Sequence, residues 1–321
     1  MDAAGKMTAM AERTAVAGPD PDARSRRLGI VAVSVATFVW AWGTILVKWS
    51  SLPGLHFAMF RLWAGVGVSS IALLLTRRRL TWATFRACAP GGVFFAADIG
   101  VGFVAVKHTT IADVALIGSL GAVVIAVISA RMLGERISRR DRVLIGVSVL
   151  GVAVVALASS GSPSFSLLGD FLAFCGLGTW SAYWFFSRSA RQDVPSIEYF
   201  ASVMVAGALV MTPVALLVSG VPSMPAASDW FAVVGVAVFP GFVGHTLVIW
   251  SHRHVESWLS AVITQSSPVF SALLAWPVLG EAITPLVAVG GLVVVGATAA
   301  VIVGTARRAP LEVQEPGELA L

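Results

Sequence analysis

From Pro285 to Gly304 the chain runs twenty residues without one charged side chain. A helix rises about 1.5 Å per residue, so such a run spans the roughly 30 Å hydrocarbon core of a bilayer. The same reading along the chain predicts ten segments: about 28–47, 57–76, 87–106, 111–130, 143–159, 168–187, 199–218, 230–250, 258–279 and 285–304. They lack the polar–apolar alternation of barrel strands, so each is expected to be a helix. Composition agrees: 57% of residues are hydrophobic and only 12% charged, about half the charge of a soluble domain. The expected fold class is therefore all-α integral membrane. Cys88 and Cys175 fall in or at the edge of apolar runs and read as small hydrophobes.

Charge orients the chain. With the N-terminus in the cytoplasm, 19 of the 22 Lys and Arg fall on that side, in clusters such as Arg77–Arg79 and Arg139–Arg142. The outside keeps Lys48 and Lys107, and Arg61 lies within a span. The positive-inside rule then predicts ten spans with both termini cytoplasmic, in the plasma membrane. Residues 1–27, rich in Ala, Asp, Pro and Arg, are expected to be a disordered cytoplasmic tail. Residues 160–167 are expected to be an extracytoplasmic linker, and 305–321 a cytoplasmic tail. The first apolar run has no convincing cleavage site and reads as a retained helix. The net charge of +5 does not point to nucleic acid, because the basic residues sit in short clusters between apolar runs.

The chain repeats itself. "KHTTIADVALIGSLGAVVIAVISARMLGERIS" (107–138) aligns without a gap on "RHVESWLSAVITQSSPVFSALLAWPVLGEAIT" (253–284). The match runs upstream through Trp40/Trp180, Pro53/Pro195 and Ala64-Gly65/Ala206-Gly207. Two five-helix units follow, about 28–159 and 168–304. Five is odd, so the second unit enters the membrane from the opposite side: ten transmembrane helices as two inverted-topology repeats, a signature of alternating-access transporters. The architecture and the two "LGE" endings resemble the drug/metabolite transporter superfamily, in particular its EamA-type ten-helix members. "SSPVFSALLAWPVLGEAITPLVAVGGLVVVGATAAV" (266–301) carries the resemblance most strongly; the first unit departs from it with Ala122 at the proline position. The resemblance implies a polytopic carrier that exports amino acids, other metabolites or drugs without hydrolysing ATP.

Ser138 with Asp141, and Thr284 with Pro285, read as the N-termini of the helices that follow the LGE turns. Glu135 and Glu281 beside them are either hairpin staples facing a helix dipole or gates. As gates, Glu135 would pair with Arg136 or Arg139 on the cytoplasmic side, and Glu281 would be its outside counterpart. Ionisable groups within a bilayer are costly and so candidates for the substrate path. Arg61 and Asp98 lie at depths that permit either a static salt bridge or an amino-acid site, one group for each end of a zwitterion. His245 aligns next to Asp98 in the other unit; it is either a hydrogen-bonded neutral imidazole or a proton-coupling group. Trp40, Trp180 and Tyr183 are candidates for an aromatic pocket wall. Gln265, Ser266 and Pro268 belong to "TQSSP", where the proline frees a backbone carbonyl beside polar side chains.

The leading expectation is a secondary active or facilitative carrier of a small molecule, with no cofactor. A membrane enzyme is the rival class, but the five histidines form no metal-ligand set. A receptor or scaffold is the third class; it usually carries a substantial soluble domain, which this chain lacks. The sequence leaves a homodimer open.

Overall fold

Lipid offers the backbone no hydrogen bonds, so apolar runs of this length must bond within themselves. A computed structural model describes residues 21–108, 117–132, 134–160, 166–190, 193–279 and 283–306, and among these there is no strand. The helices are α1 (Pro21–Trp49), α2 (Gly54–Leu75), α3 (Trp82–His108) and α4 (Gly121–Met132). There follow α5 (Arg139–Ser160), α6 (Leu167–Ala190), α7 (Ser196–Ser219) and α8 (Ala227–Ser251). The last are α9 (Ser257–Thr264), α10 (Ser267–Leu279) and α11 (Pro285–Ala306). Among the described residues six stretches are long and apolar enough to cross a membrane: α2, α5, α7, α8, α9 with α10, and α11.

Three helices depart from the expected runs. α1 begins at Pro21, so residues 21–27 are helical rather than a disordered tail. Proline suits a first helical turn, and Arg26 forks onto both carboxylate oxygens of Glu256 at 3.2 and 3.0 Å, tying that turn down. α8 passes through a π-helical stretch, Ala237–Gly244, around Pro240. The run 258–279 is broken between α9 and α10 at Gln265–Ser266.

α3 packs on α6 and α7, and α8 packs on α1 and α2; α2 meets α7, α4 meets α9, and α5 meets α11. Aligned positions of the two halves touch each other. A Cβ on Gly65 would lie 2.6 Å from Met204 Sδ, and one on Gly207 would lie 3.3 Å from Leu62 Cδ2. Leu62 and Met204 occupy the same place in their halves, as do Gly65 and Gly207. Trp40 and Trp180 meet edge to face with ring centroids 5.8 Å apart. At the helix ends His56 Nε2 donates to the Gly220 carbonyl at 2.9 Å, and at the aligned place Arg78 donates to Glu198 at 2.9 Å.

The α3–α7 contact is close enough to test. A Cβ at Gly92 would sit 2.6 Å from Ala206 Cβ and 2.8 Å from the Val203 carbonyl, neither of which can swing away. Gly92→Val is expected to cost about 1–3 kcal/mol by overpacking. Gly67→Ala, with nothing within 4 Å of its new Cβ, is expected to leave stability unchanged or slightly raised. Thermal unfolding in detergent checks this; equal losses at both positions would refute the close packing.

Candidate functional site

Pro268 has no N–H to offer the Thr264 carbonyl, so the helical ladder stops there. The chain makes a tight turn instead, with the Gln265 N–H on Val262 O at 3.2 Å and the Ser266 N–H on Ile263 O at 3.1 Å. The turn sends Gln265 towards α4, where its Nε2 donates to the Ser119 carbonyl at 2.7 Å. Ser119 and Gln265 are aligned positions of the two repeats, 146 residues apart. A carbonyl accepts only from the NH2 end of the amide. Gln265 Oε1 is therefore turned away, and it is buried without a hydrogen-bond partner.

Beside this break lies a cavity of about 370 Å3. Its polar lining includes Asp98, Ser119, Thr264 and Gln265; Trp40, Trp180 and Pro268 also face it, and the remainder is Gly, Ala, Val, Leu and Ile. Trp40 is held by its indole N–H, which donates to the Pro240 carbonyl in the π-helical stretch of α8 at 3.0 Å. π-helical turns are rare and often mark functional positions.

Behind the Trp40 wall sits a second layer. The His245 ring lies 4.8 Å from that of Trp40 and 4.9 Å from that of Phe95, centroid to centroid. Tyr183 Oη approaches His245 Nδ1 at 3.4 Å. The Arg61 guanidinium rests over the Phe95 ring, 5.6 Å from its centroid. Arg61 and Asp98 make no ion pair within 4.0 Å among the described residues, so the static salt bridge that their depths permit does not form. Trp40, Asp98, Trp180, Gln265 and Pro268 thus face the cavity, whereas Arg61, Tyr183, His245 and Ser266 are not among its described lining residues.

The first LGE ending has a separate geometry. Gly134 takes φ +67, the left-handed cap that lets the Glu135 N–H reach back to the Ser129 carbonyl at 3.1 Å. The Glu135 carboxylate does not staple the helix that follows it. Ser138 does that, accepting the Asp141 N–H at 3.2 Å and donating to the Asp141 carboxylate at 2.7 Å. Nor does Glu135 pair with Arg136 or Arg139, which are exposed. It crosses to the other half, where the Ser257 N–H donates to Oε1 at 2.9 Å and the Trp258 N–H to Oε2 at 3.4 Å. These are unpaired donors of the first turn of α9, at the positive end of its dipole. Arg188 adds an ion pair at 3.6 Å and donates to the Val255 carbonyl at 3.2 Å. Burial pushes the Glu135 carboxyl above its ordinary value, while the two N–H groups and Arg188 pull it down.

Sequence reasoning missed Arg188, Glu256 and Arg26 in this clasp, since their partners lie far along the chain. Glu281 lies outside the described residues. Thr284 caps α11 by accepting the Val287 N–H at 3.3 Å. No group of three or more His, Cys, Asp or Glu is placed to hold a metal among the described residues.

A family model described as the EamA-like transporter family matches residues 27–157 and again 167–303. The pseudopaline exporter CntI of Pseudomonas aeruginosa (strain UCBPP-PA14) is 25% identical over 275 residues, 83% of this chain and 93% of its own length. A protein of known crystal structure superimposes with a TM-score of 0.74 over 89% of this chain and 98% of its own, at 24% identity, a likeness of fold.

The clasp predicts a graded response. Glu135→Ala strips the α9 N-terminus of its acceptor and is expected to cost about 1–2 kcal/mol. Glu135→Gln keeps an acceptor and is expected to cost less. Thermal unfolding of both variants checks this; equal losses would assign the effect to the Arg188 ion pair instead.

Proposed function

The chain belongs to the EamA-like transporter family, and on that premise we propose that it exports a small molecule across the plasma membrane by alternating access between two inverted halves. It is a multi-pass membrane transporter; the proposal concerns how it works and what it moves. Each half contributes five helices, about 28–159 and 168–304, with both termini cytoplasmic. Contacts between aligned positions support this reading. Trp40 with Trp180, Ser119 with Gln265, and the exchange of Gly65–Met204 for Gly207–Leu62 are what a two-fold axis in the membrane plane requires.

One observation carries the mechanism. The cavity lies past the middle of α3 and near the start of α6, away from the end where Glu135, Arg188 and the α9 N-terminus close together. On this reading, with the N-terminus inside, the clasp closes the cytoplasmic side and the site lies near the midplane. Rocking the halves apart at the clasp exposes the same site to the cytoplasm. Glu281 would seal the outer side in the opposite state, as the repeat implies. The direction, export, follows the name of the Pseudomonas relative.

Ser260 is buried one turn above Ser257, between the clasp and the cavity, and reports on opening. In a Cys88→Ala/Cys175→Ala background, Ser260→Cys is expected to react slowly with a charged thiol reagent applied to the cytoplasmic face of inside-out vesicles. Adding Glu135→Ala is expected to speed that reaction severalfold. An unchanged rate, with the clasp removed and the protein folded, would count against a cytoplasmic gate.

A further inference from the structure

The polar lining of the cavity is Asp98, Ser119, Thr264 and Gln265, with, among its described lining residues, no Lys, Arg or His. Asp98 is the charged side chain of that set, and among the described residues no hydrogen bond or ion pair within 4.0 Å engages its carboxylate. Gln265 is 8% exposed, and its Oε1 is an orphan because the amide is oriented by the Ser119 carbonyl. An anion would meet Asp98 with no cation in the described wall to offset it. The lining also includes Ile125, Val152 and Leu177, which a polyol would leave without an apolar partner. A protonated amine fits each of these features. It donates to the carboxylate, its charge faces the indole rings, and an apolar remainder covers the aliphatic wall.

Resting on the transporter reading, we propose that the cavity binds a small organic cation through its protonated amine, with Asp98 as acceptor and Trp40, Trp180 and Gln265 lining the same space. Arg61 sits over Phe95, outside the described lining. It serves as a counter-charge to Asp98 in the absence of a bound cation, not as a seat for a substrate carboxylate. That assignment separates a site for amines from one for zwitterionic amino acids, which the pairing of Arg61 with Asp98 suggested from sequence.

Four probes on one skeleton test it: tryptamine, N-acetyltryptamine, indole-3-propionate and tryptophan. Each is titrated against the full-length protein in detergent, by calorimetry and by the shift in melting temperature. Tryptamine is expected to bind and stabilise, with the neutral amide and the acid each weaker by about tenfold or more. Asp98→Asn is expected to weaken tryptamine by a similar factor, and Gln265→Leu by less. Arg61→Gln is expected to leave tryptamine binding intact or tighter. If tryptophan or indole-3-propionate binds as well as tryptamine, or no probe binds, the proposal falls. Should Asp98→Asn fail to fold, the amine against its N-acetyl form on the unaltered protein decides alone. Proteoliposomes separate this from the transporter reading. An amine that binds but does not cross leaves the site and removes the carrier; solutes that cross without any amine binding leave the carrier and remove the site.

Discussion

A backbone that breaks its helix inside a bilayer must find new partners, and the interior of this protein is organised around where that happens. Lipid supplies neither donors nor acceptors. At Pro268 the ladder stops, and Gln265 swings out to bond a carbonyl near α4 in the other half. At Pro240 the helix relaxes into a π stretch whose carbonyl takes the Trp40 indole. At the start of α9 the free N–H groups are met by Glu135 from the other half. Each repair joins elements distant in sequence, so the irregular positions are joints between the halves, and the break at Gln265 and Pro268 also borders the cavity.

Charge is distributed by the same economy. Arg26–Glu256, Arg78–Glu198 and Arg188–Glu135 are ion pairs between residues far apart in the chain, all near the ends of helices. There water and headgroups share the cost of holding them, and each pair ties one helix end to another. Asp98 and Arg61 stand apart, placed well within α3 and α2 and not joined within salt-bridge distance. A carboxylate kept in an apolar interior without an ion pair is expensive as architecture. Here Asp98 faces the cavity rather than a partner helix end.

The LGE turn shows how one short motif serves two purposes. Glycine is required at Gly134 because only a residue without a Cβ takes its left-handed backbone without strain. That geometry closes α4 and also aims the next side chain out of its own hairpin. Glu135 is therefore free to reach the other half, and the helix after it needs its own cap from Ser138 and Asp141.

The apolar runs, their helical character, the repeat and the family resemblance were legible from the residues, because bilayer thickness and backbone bonding leave few choices for such a sequence. Trp40, Asp98, Trp180, Gln265 and Pro268 were legible as candidates too, since ionisable groups, paired aromatics and a helix proline are conspicuous in an apolar chain. Which of them face one space was not. A helix turns about 100° per residue, so the face that a side chain presents depends on the rotation of its helix against its neighbours. Gly65, Gly92 and Gly207 set those rotations through contacts between halves. For the same reason the partners of Glu135 were invisible: Arg188 and Ser257 lie far along the chain, and only the packing of the two halves brings them together. The sequence by itself determined a membrane-spanning, duplicated helical carrier; the tertiary structure decided which carboxylate clasps the halves and which one faces the cavity.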